Sequence, residues 1–153
     1  MEPEKSVYLT PEEVVHKWFD EVWHKGDESA VDRLFADDGI AHGLVDADGN
    51  ELVGPEGFKP LVRQLRGALH NLEIIVEDVI ATEDKAATRL RIKGIHNGDT
   101  LGIRATGRAV EFTGMTFIRV KEGKMIEAWN NVDFAAMTEQ LTRNLEEPET
   151  PCL

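Results

Sequence analysis

Cysteine is nearly absent from this 153-residue chain: there is one, Cys152, next to the last residue. A lone thiol excludes an intrachain disulfide framework and a thiolate metal site. Basic residues are also scarce, 17 lysines and arginines against 29 aspartates and glutamates, and the formal charge is -12. Such a chain is repelled by polyanions, so neither nucleic acid nor an anionic membrane is expected as a partner. No stretch approaches the roughly 18 apolar residues of a spanning helix. The opening MEPEKSVYLTPEE has neither the basic nor the apolar region of an export signal. The expectation is a soluble cytoplasmic protein. The five histidines, at 16, 24, 42, 70 and 96, form no HExxH and no close pair, and the glycines form no GxGxxG. Neither a metal nor a nucleotide is therefore indicated, and no cofactor is expected.

What is present is ordinary globular material, 41% hydrophobic and 30% charged, enough to bury about two-thirds of its extended-chain surface in one domain. Thr10 can cap a helix opening at Pro11, with Glu13 closing a capping box. Val14, Val15, Trp18, Phe19, Val22 and Trp23 then recur at spacings of three and four, the stripe of an amphipathic helix. Gly26 ends it and Asp27 can cap a second, short helix whose apolar face is Ala30, Val31, Leu34 and Phe35, followed by an ADDG turn. A short strand is expected from Ile40 to Leu44, turn chemistry in DADGN, and a third helix from Glu56 to Leu69 with Pro60 in its first turns.

From Leu72 the period changes to two. Runs over 72–81, 86–95, 108–120 and 124–132 read as strands, and the TED and KEG separators are short enough for hairpins. A last helix is expected from Phe134 to Leu145 and a loose tail over 146–153, with residues 1–10 as an N-terminal extension of a single domain, 11–145. Helices first and a meander second imply an α+β domain, helices laid on one face of a curved antiparallel sheet that encloses a pocket.

Alternation on the final strand separates Ile126, Ala128, Asn130 and Val132 from Met125, Glu127, Trp129 and Asn131. The first set has the character of a cavity wall. Asn130 and Asn131 either orient a polar ligand beside Trp129 or satisfy a bulge before the last helix, and Asp133 is either a site residue or that helix's N-cap. On the 86–95 strand, Thr88, Leu90 and Ile92 form an apolar row opposite the basic row of Arg89, Arg91 and Lys93. The arginines pair with Glu77, Glu111 or Glu127, or one of them enters the pocket. His42 is the histidine best placed for acid/base work if it faces the hollow with a carboxylate behind it; otherwise it is a satisfied half-buried ring. His96, before NGD, reads as a surface loop residue. Most aromatic residues, Trp18 included, read as core.

The stretch GPEGFKPLVRQLRGAL and the later GIHNG, LGIRATGR and EGKMIEAWNNVD resemble the SnoaL-like polyketide cyclase or ester cyclase family. That family belongs to the conical, cystatin-like folds named after nuclear transport factor 2. The likeness spans roughly residues 11–145. It implies a bent sheet through which two copies dimerise, and cofactor-free aldol cyclisation of a small aromatic, polyketide-like ester. It also implies acid/base chemistry at the position after the tryptophan of the last strand, here Asn130, assisted from a position here occupied by Thr116. Neither residue titrates near neutral pH, so His42 and Asp133 are the remaining candidates for proton transfer, with Asn130 as an oxyanion donor. Thr116, Trp129, Asn131 and Trp18 are the residues expected to touch the substrate. Two readings stay open: an enzyme performing cyclisation, isomerisation, dehydration or hydrolysis on a small hydrophobic carbonyl compound, or a non-catalytic binder or dimeric scaffold.

Overall fold

The computed structural model describes residues 7–143; the predicted tail, Cys152 and the end of the last helix at Leu145 lie outside them. Helix α1 runs Pro11–Lys17 behind the expected capping box, in which Glu13 N–H donates to Thr10 Oγ1 and Thr10 N–H donates to Glu13. The amphipathic stripe continues, but as a π-helical stretch, Trp18–His24, rather than as more α-helix. Wider i→i+5 turns of this kind are rare and cluster at functional sites. Helix α2, Glu28–Leu34, is capped by Asp27 as its sequence suggests.

Phe35 is not the end of that helix. Extended backbone at Phe35 opens strand β1, Phe35–Val45, which runs straight through the expected ADDG turn. A short β2, Glu51–Val53, follows, then α3, Gly54–Ala68, with Pro60 inside it. The remaining strands are β3, Leu69–Ala81, β4, Lys85–His96, β5, Ala109–Lys121, and β6, Lys124–Val132, and helix α4 covers Phe134–Thr142. The β5–β6 turn places Glu122 and Gly123 at positive φ, 52° and 77°, the two-residue hairpin geometry that suits right-twisted strands.

The six strands lie in the order β2-β1-β6-β5-β4-β3, and the two edge strands do not meet, so the sheet is open. All neighbours are antiparallel except one: β1 runs parallel to β6, which corrects the wholly antiparallel expectation. Ladder irregularities in β1, β3 and β6 bend the sheet around its helices. Burial alternates residue by residue along β5, Val110 to Val120 inward and Glu111 to Arg119 outward, the mark of a sheet with one dry face. On that face α1, the π-helical stretch and α3 close the core, where Phe58 meets Trp18 at a centroid distance of 4.9 Å and Trp23 and Phe35 at 6.0 and 5.8 Å.

Candidate functional site

Between the helices and the inner face of the sheet lies a cavity of about 70 Å3. The π-helical stretch contributes Trp18, Phe19 and Trp23 to its wall, α3 contributes Phe58, Leu61 and Leu65, and strands β3 to β6 supply further aliphatic and aromatic side chains. Among the described residues, only two of the wall are polar, Thr116 and Asn130, and none is acidic or basic. These two are cross-strand partners in the β5–β6 ladder, so their side chains stand next to each other on the inner face. Next in the same row, on β4, is Thr88, paired with Thr116 and 3% exposed, whose Oγ1 is buried without a hydrogen-bond partner.

Asn130 is held by β1. Its Nδ2 donates to the carbonyl oxygen of His42 at 3.0 Å, which assigns the two ends of the amide and leaves Oδ1 as an acceptor. Strands β1 and β6 approach so closely here that a Cβ on Gly43 would lie 1.9 Å from the Asn130 carbonyl oxygen, and Gly43 has φ +83°. Glycine is required at that point on both counts.

The structure brings Trp18, Thr116 and Asn130 together at the cavity and sends the other expected site residues elsewhere. His42 is on the outer face of the sheet: Nδ1 meets Glu51, Nε2 lies 2.7 Å from Glu127, and the ring stacks on Trp129 at 5.4 Å. Its charged form is favoured, and its pKa raised, first by the hydrogen bond to Glu127 and then by that to Glu51. The carboxylates that meet the histidine, Glu51 and Glu127, lie with it on the side away from the cavity. Trp129 and Asn131 also face outward, as alternation with Ala128 and Asn130 requires. Asp133 Oδ1 accepts from Ala136 N–H at 2.9 Å and caps α4, so of its two readings the cap is the one realised. Arg89 and Arg91 pair with Glu77, and Arg91 also with Glu111, on the outer face; neither enters the pocket.

Two placements were not expected. Met125 joins the cavity wall because the β5–β6 register shifts between Arg119 and Val120, which reverses the alternation at the start of β6. His96 is fully buried rather than a surface residue. Its Nδ1 accepts from Thr106 N–H at 3.1 Å, pinning the 97–108 connection to the end of β4. Alternation from Ala86 through Leu90 and Ile92 points inward at His96 too; the signal was in the sequence, one residue beyond the end assigned to the strand. Among the described residues, no group of three or more His, Cys, Asp or Glu side chains could hold a metal ion.

The sequence profile of the family described as SnoaL-like polyketide cyclase matches residues 13–141. The chain belongs to the SnoaL-like polyketide cyclase family. Solved structures agree on its shape. A protein of Jannaschia sp. CCS1, provisionally described as a SnoaL-like polyketide cyclase, aligns at TM-score 0.77 and 20% identity over 94% of this chain and 99% of its own. IdmH of Streptomyces antibioticus, provisionally a polyketide cyclase, aligns at TM-score 0.74 and 27% identity over 86% and 97%. TsrD of Streptomyces laurentii aligns at 0.73 and 20% over 86% and 93%. No curated protein matches the chain at a significant level. In this SnoaL-like chain, the two positions that the family resemblance marks for acid/base work, Asn130 and Thr116, are the two polar residues of the cavity wall.

Proposed function

We propose that this SnoaL-like protein takes up a small hydrophobic carbonyl or polyketide-like compound in its inner cavity and holds it by shape and hydrogen bonding. One observation carries this reading: among the described residues the wall is apolar apart from Thr116 and Asn130, with no side chain that exchanges a proton near neutral pH. Apolar lining with a few convergent polar groups is the usual make-up of a small-molecule site. At about 70 Å3 the cavity is well below the roughly 300–1,000 Å3 of drug-sized sites, so uptake must displace wall side chains. The π-helical stretch carries three of the wall aromatics and is the element we assign to that movement.

Family membership favours a second reading, ring closure by aldol chemistry, or a related isomerisation, dehydration or hydrolysis. Here the wall would act by folding the substrate and by donating from Thr116 Oγ1 and the second Asn130 N–H to a developing oxyanion. The proton would leave to water or to another part of the substrate. Both readings are free of any cofactor.

The two are separated with 2-acetonaphthone, an aromatic methyl ketone, and the full chain. Equilibrium dialysis measures uptake, and proton NMR in deuterium oxide follows exchange of the methyl hydrogens next to the carbonyl. Saturable uptake with exchange no faster than in buffer supports binding alone; protein-accelerated exchange supports the enzyme, and absent uptake removes both.

We also propose a homodimer formed through the outer face of the sheet. Met115, Phe117 and Trp129 are exposed there at 61%, 41% and 37%, an apolar centre ringed by charge as in a protein interface. Along the strands that ring carries Lys85, Arg89, Arg91, Lys93, Arg119 and Lys121 against Glu51, Glu73, Glu77, Asp78, Glu111 and Glu127. It is therefore balanced on a chain of formal charge -12, and it is the face on which a second copy meets the least repulsion. Sedimentation equilibrium tests this: a mass twice the 17.1 kDa of one chain that falls to one chain in Phe117→Lys is expected, and a wild-type monomer overturns it.

A further inference from the structure

A helix ends in carbonyl oxygens that no later turn can satisfy. In the π-helical stretch the last bonds back run from Lys25 N–H to the Asp20 carbonyl and from Asp27 N–H to that of Glu21. Two carbonyls beyond these, Trp23 and His24, are taken by a single nitrogen from another element: Arg66 Nη1, on α3, donates to both, at 3.0 Å to His24. Gly26 leaves room for the guanidinium, since an added Cβ there would lie 2.6 Å from Arg66 Nε. Among the described residues Arg66 has no ion pair, and its hydrogen bonds go to these backbone oxygens. The His24 side chain makes a second tie. Its Nε2 accepts at 2.9 Å from the backbone N–H of Ile74, on edge strand β3 with no strand beyond it. The other polar ties of the stretch, Lys17 and Arg33 to Glu21 and Lys25 to Asp20, are ion pairs at the surface, a class worth little.

We infer that Arg66 and His24 are positioning residues that bolt the π-helical wall shut and thereby set the size of compound the cavity admits. The inference rests on the reading above, that a guest enters by displacing this stretch, and adds what resists the displacement. The two ties meet at one corner of the cavity. Trp23 lines it from the π-helical stretch, Leu65, next to Arg66, from α3, and Ile74 from β3, while Arg66 and His24 themselves are not in the wall. No residue of the 97–107 connection lines it either, so the corner is where the wall must give. Moving Trp23 outward draws its carbonyl from Arg66 and the His24 ring from Ile74 N–H. Hydrogen bonds from a charged donor are the strong ones, and a backbone N–H left without its acceptor adds to the cost. A larger guest needs a larger displacement, so the bolt penalises large compounds more than small ones without touching either.

The test uses the full chain and two ketones, acetophenone with one ring and 2-acetonaphthone with two. Equilibrium dialysis compares them on wild type, Arg66→Met and His24→Phe, and on Arg63→Met as a control from the same helix, whose pair with Glu28 lies outside the bolt. Urea denaturation checks that each protein is folded. The quantity read is the ratio of 2-acetonaphthone to acetophenone affinity, which a general loosening of the fold would lower or leave alone. That ratio should rise about fivefold or more in Arg66→Met and about threefold or more in His24→Phe, and stay within about twofold of wild type in Arg63→Met. A wild-type ratio in folded Arg66→Met, or an equal rise in Arg63→Met, overturns the inference while leaving the cavity a binding site. Should Arg66→Met not fold, His24→Phe decides, and a wild-type ratio there overturns it. Failure of wild type to bind either ketone overturns the binding reading and this inference with it.

Discussion

The two faces of one sheet divide the chemistry of this protein between them. The inner face holds the cavity, whose described wall is apolar but for Thr116 and Asn130, while the outer face holds His42, the paired carboxylates and the arginines. Period-two alternation puts residues one apart in sequence on opposite faces, so Asn130 lines the cavity while its neighbours Trp129 and Asn131 do not. His42 and the carboxylates it meets, Glu51 and Glu127, sit behind the sheet, away from the cavity. A count of residue types would call this chain equipped for proton transfer; the register says that its wall is equipped for hydrogen bonding.

Energetic contrast between the faces should be just as sharp. Phe58 is 3% exposed and touches three other aromatic rings, so Phe58→Ala should cost about 3–5 kcal/mol by urea denaturation. An outer-face change, Arg91→Ala, breaks half-exposed ion pairs and should cost no more than about 1 kcal/mol. Comparable losses would erase the distinction. Gly43→Ala probes the joint between the faces, because its Cβ must push β1 from β6 at the Asn130 carbonyl and adopt a positive φ. A loss of roughly 1–3 kcal/mol or more is expected, together with weakened 2-acetonaphthone uptake as Asn130 loses its anchor; stability at the wild-type level would mean that the strands are not held so tightly.

A smaller effect separates the faces by pH. His42 has its pKa raised by Glu127 and Glu51, so folding binds its proton more tightly than the unfolded chain does. The stabilisation from that proton is complete below the unfolded value of about 6.5 and disappears as pH rises through the higher folded value. Urea midpoints should therefore fall on moving from mildly acid to mildly alkaline solution, and fall less in His42→Gln. The same slope in both proteins would show that the outer cluster contributes nothing measurable.

Much of this arrangement was legible in the sequence. Thr10 with Glu13 and Asp27 announced two helix starts, and the alternation from Val110 to Val120 announced a strand with one dry face. The KEG turn was visible for the same local reason. What escaped depended on partners far along the chain. Strand β1 is long because β6, some ninety residues later, offers Phe35 and Ala41 a parallel neighbour in Met125 and Ala128; nothing local in ADDG announces that. Met125 is turned inward by a ladder irregularity that no alternation count foresees. His42 could be placed on a strand but not on a side, since its side follows from how β1 docks between β2 and β6. His96, by contrast, continues the inward alternation of β4, which runs one residue past Ile95.

The most direct test of the division between the faces is the affinity for 2-acetonaphthone measured between about pH 5 and 8, the range in which histidine titrates. The compound is neutral throughout, so a wall of Thr116, Asn130 and apolar side chains predicts a constant dissociation constant whatever the charge of His42 on the other side. A sigmoidal step in affinity within that range, lost in His42→Gln, would place a titrating group in contact with the ligand and contradict the account.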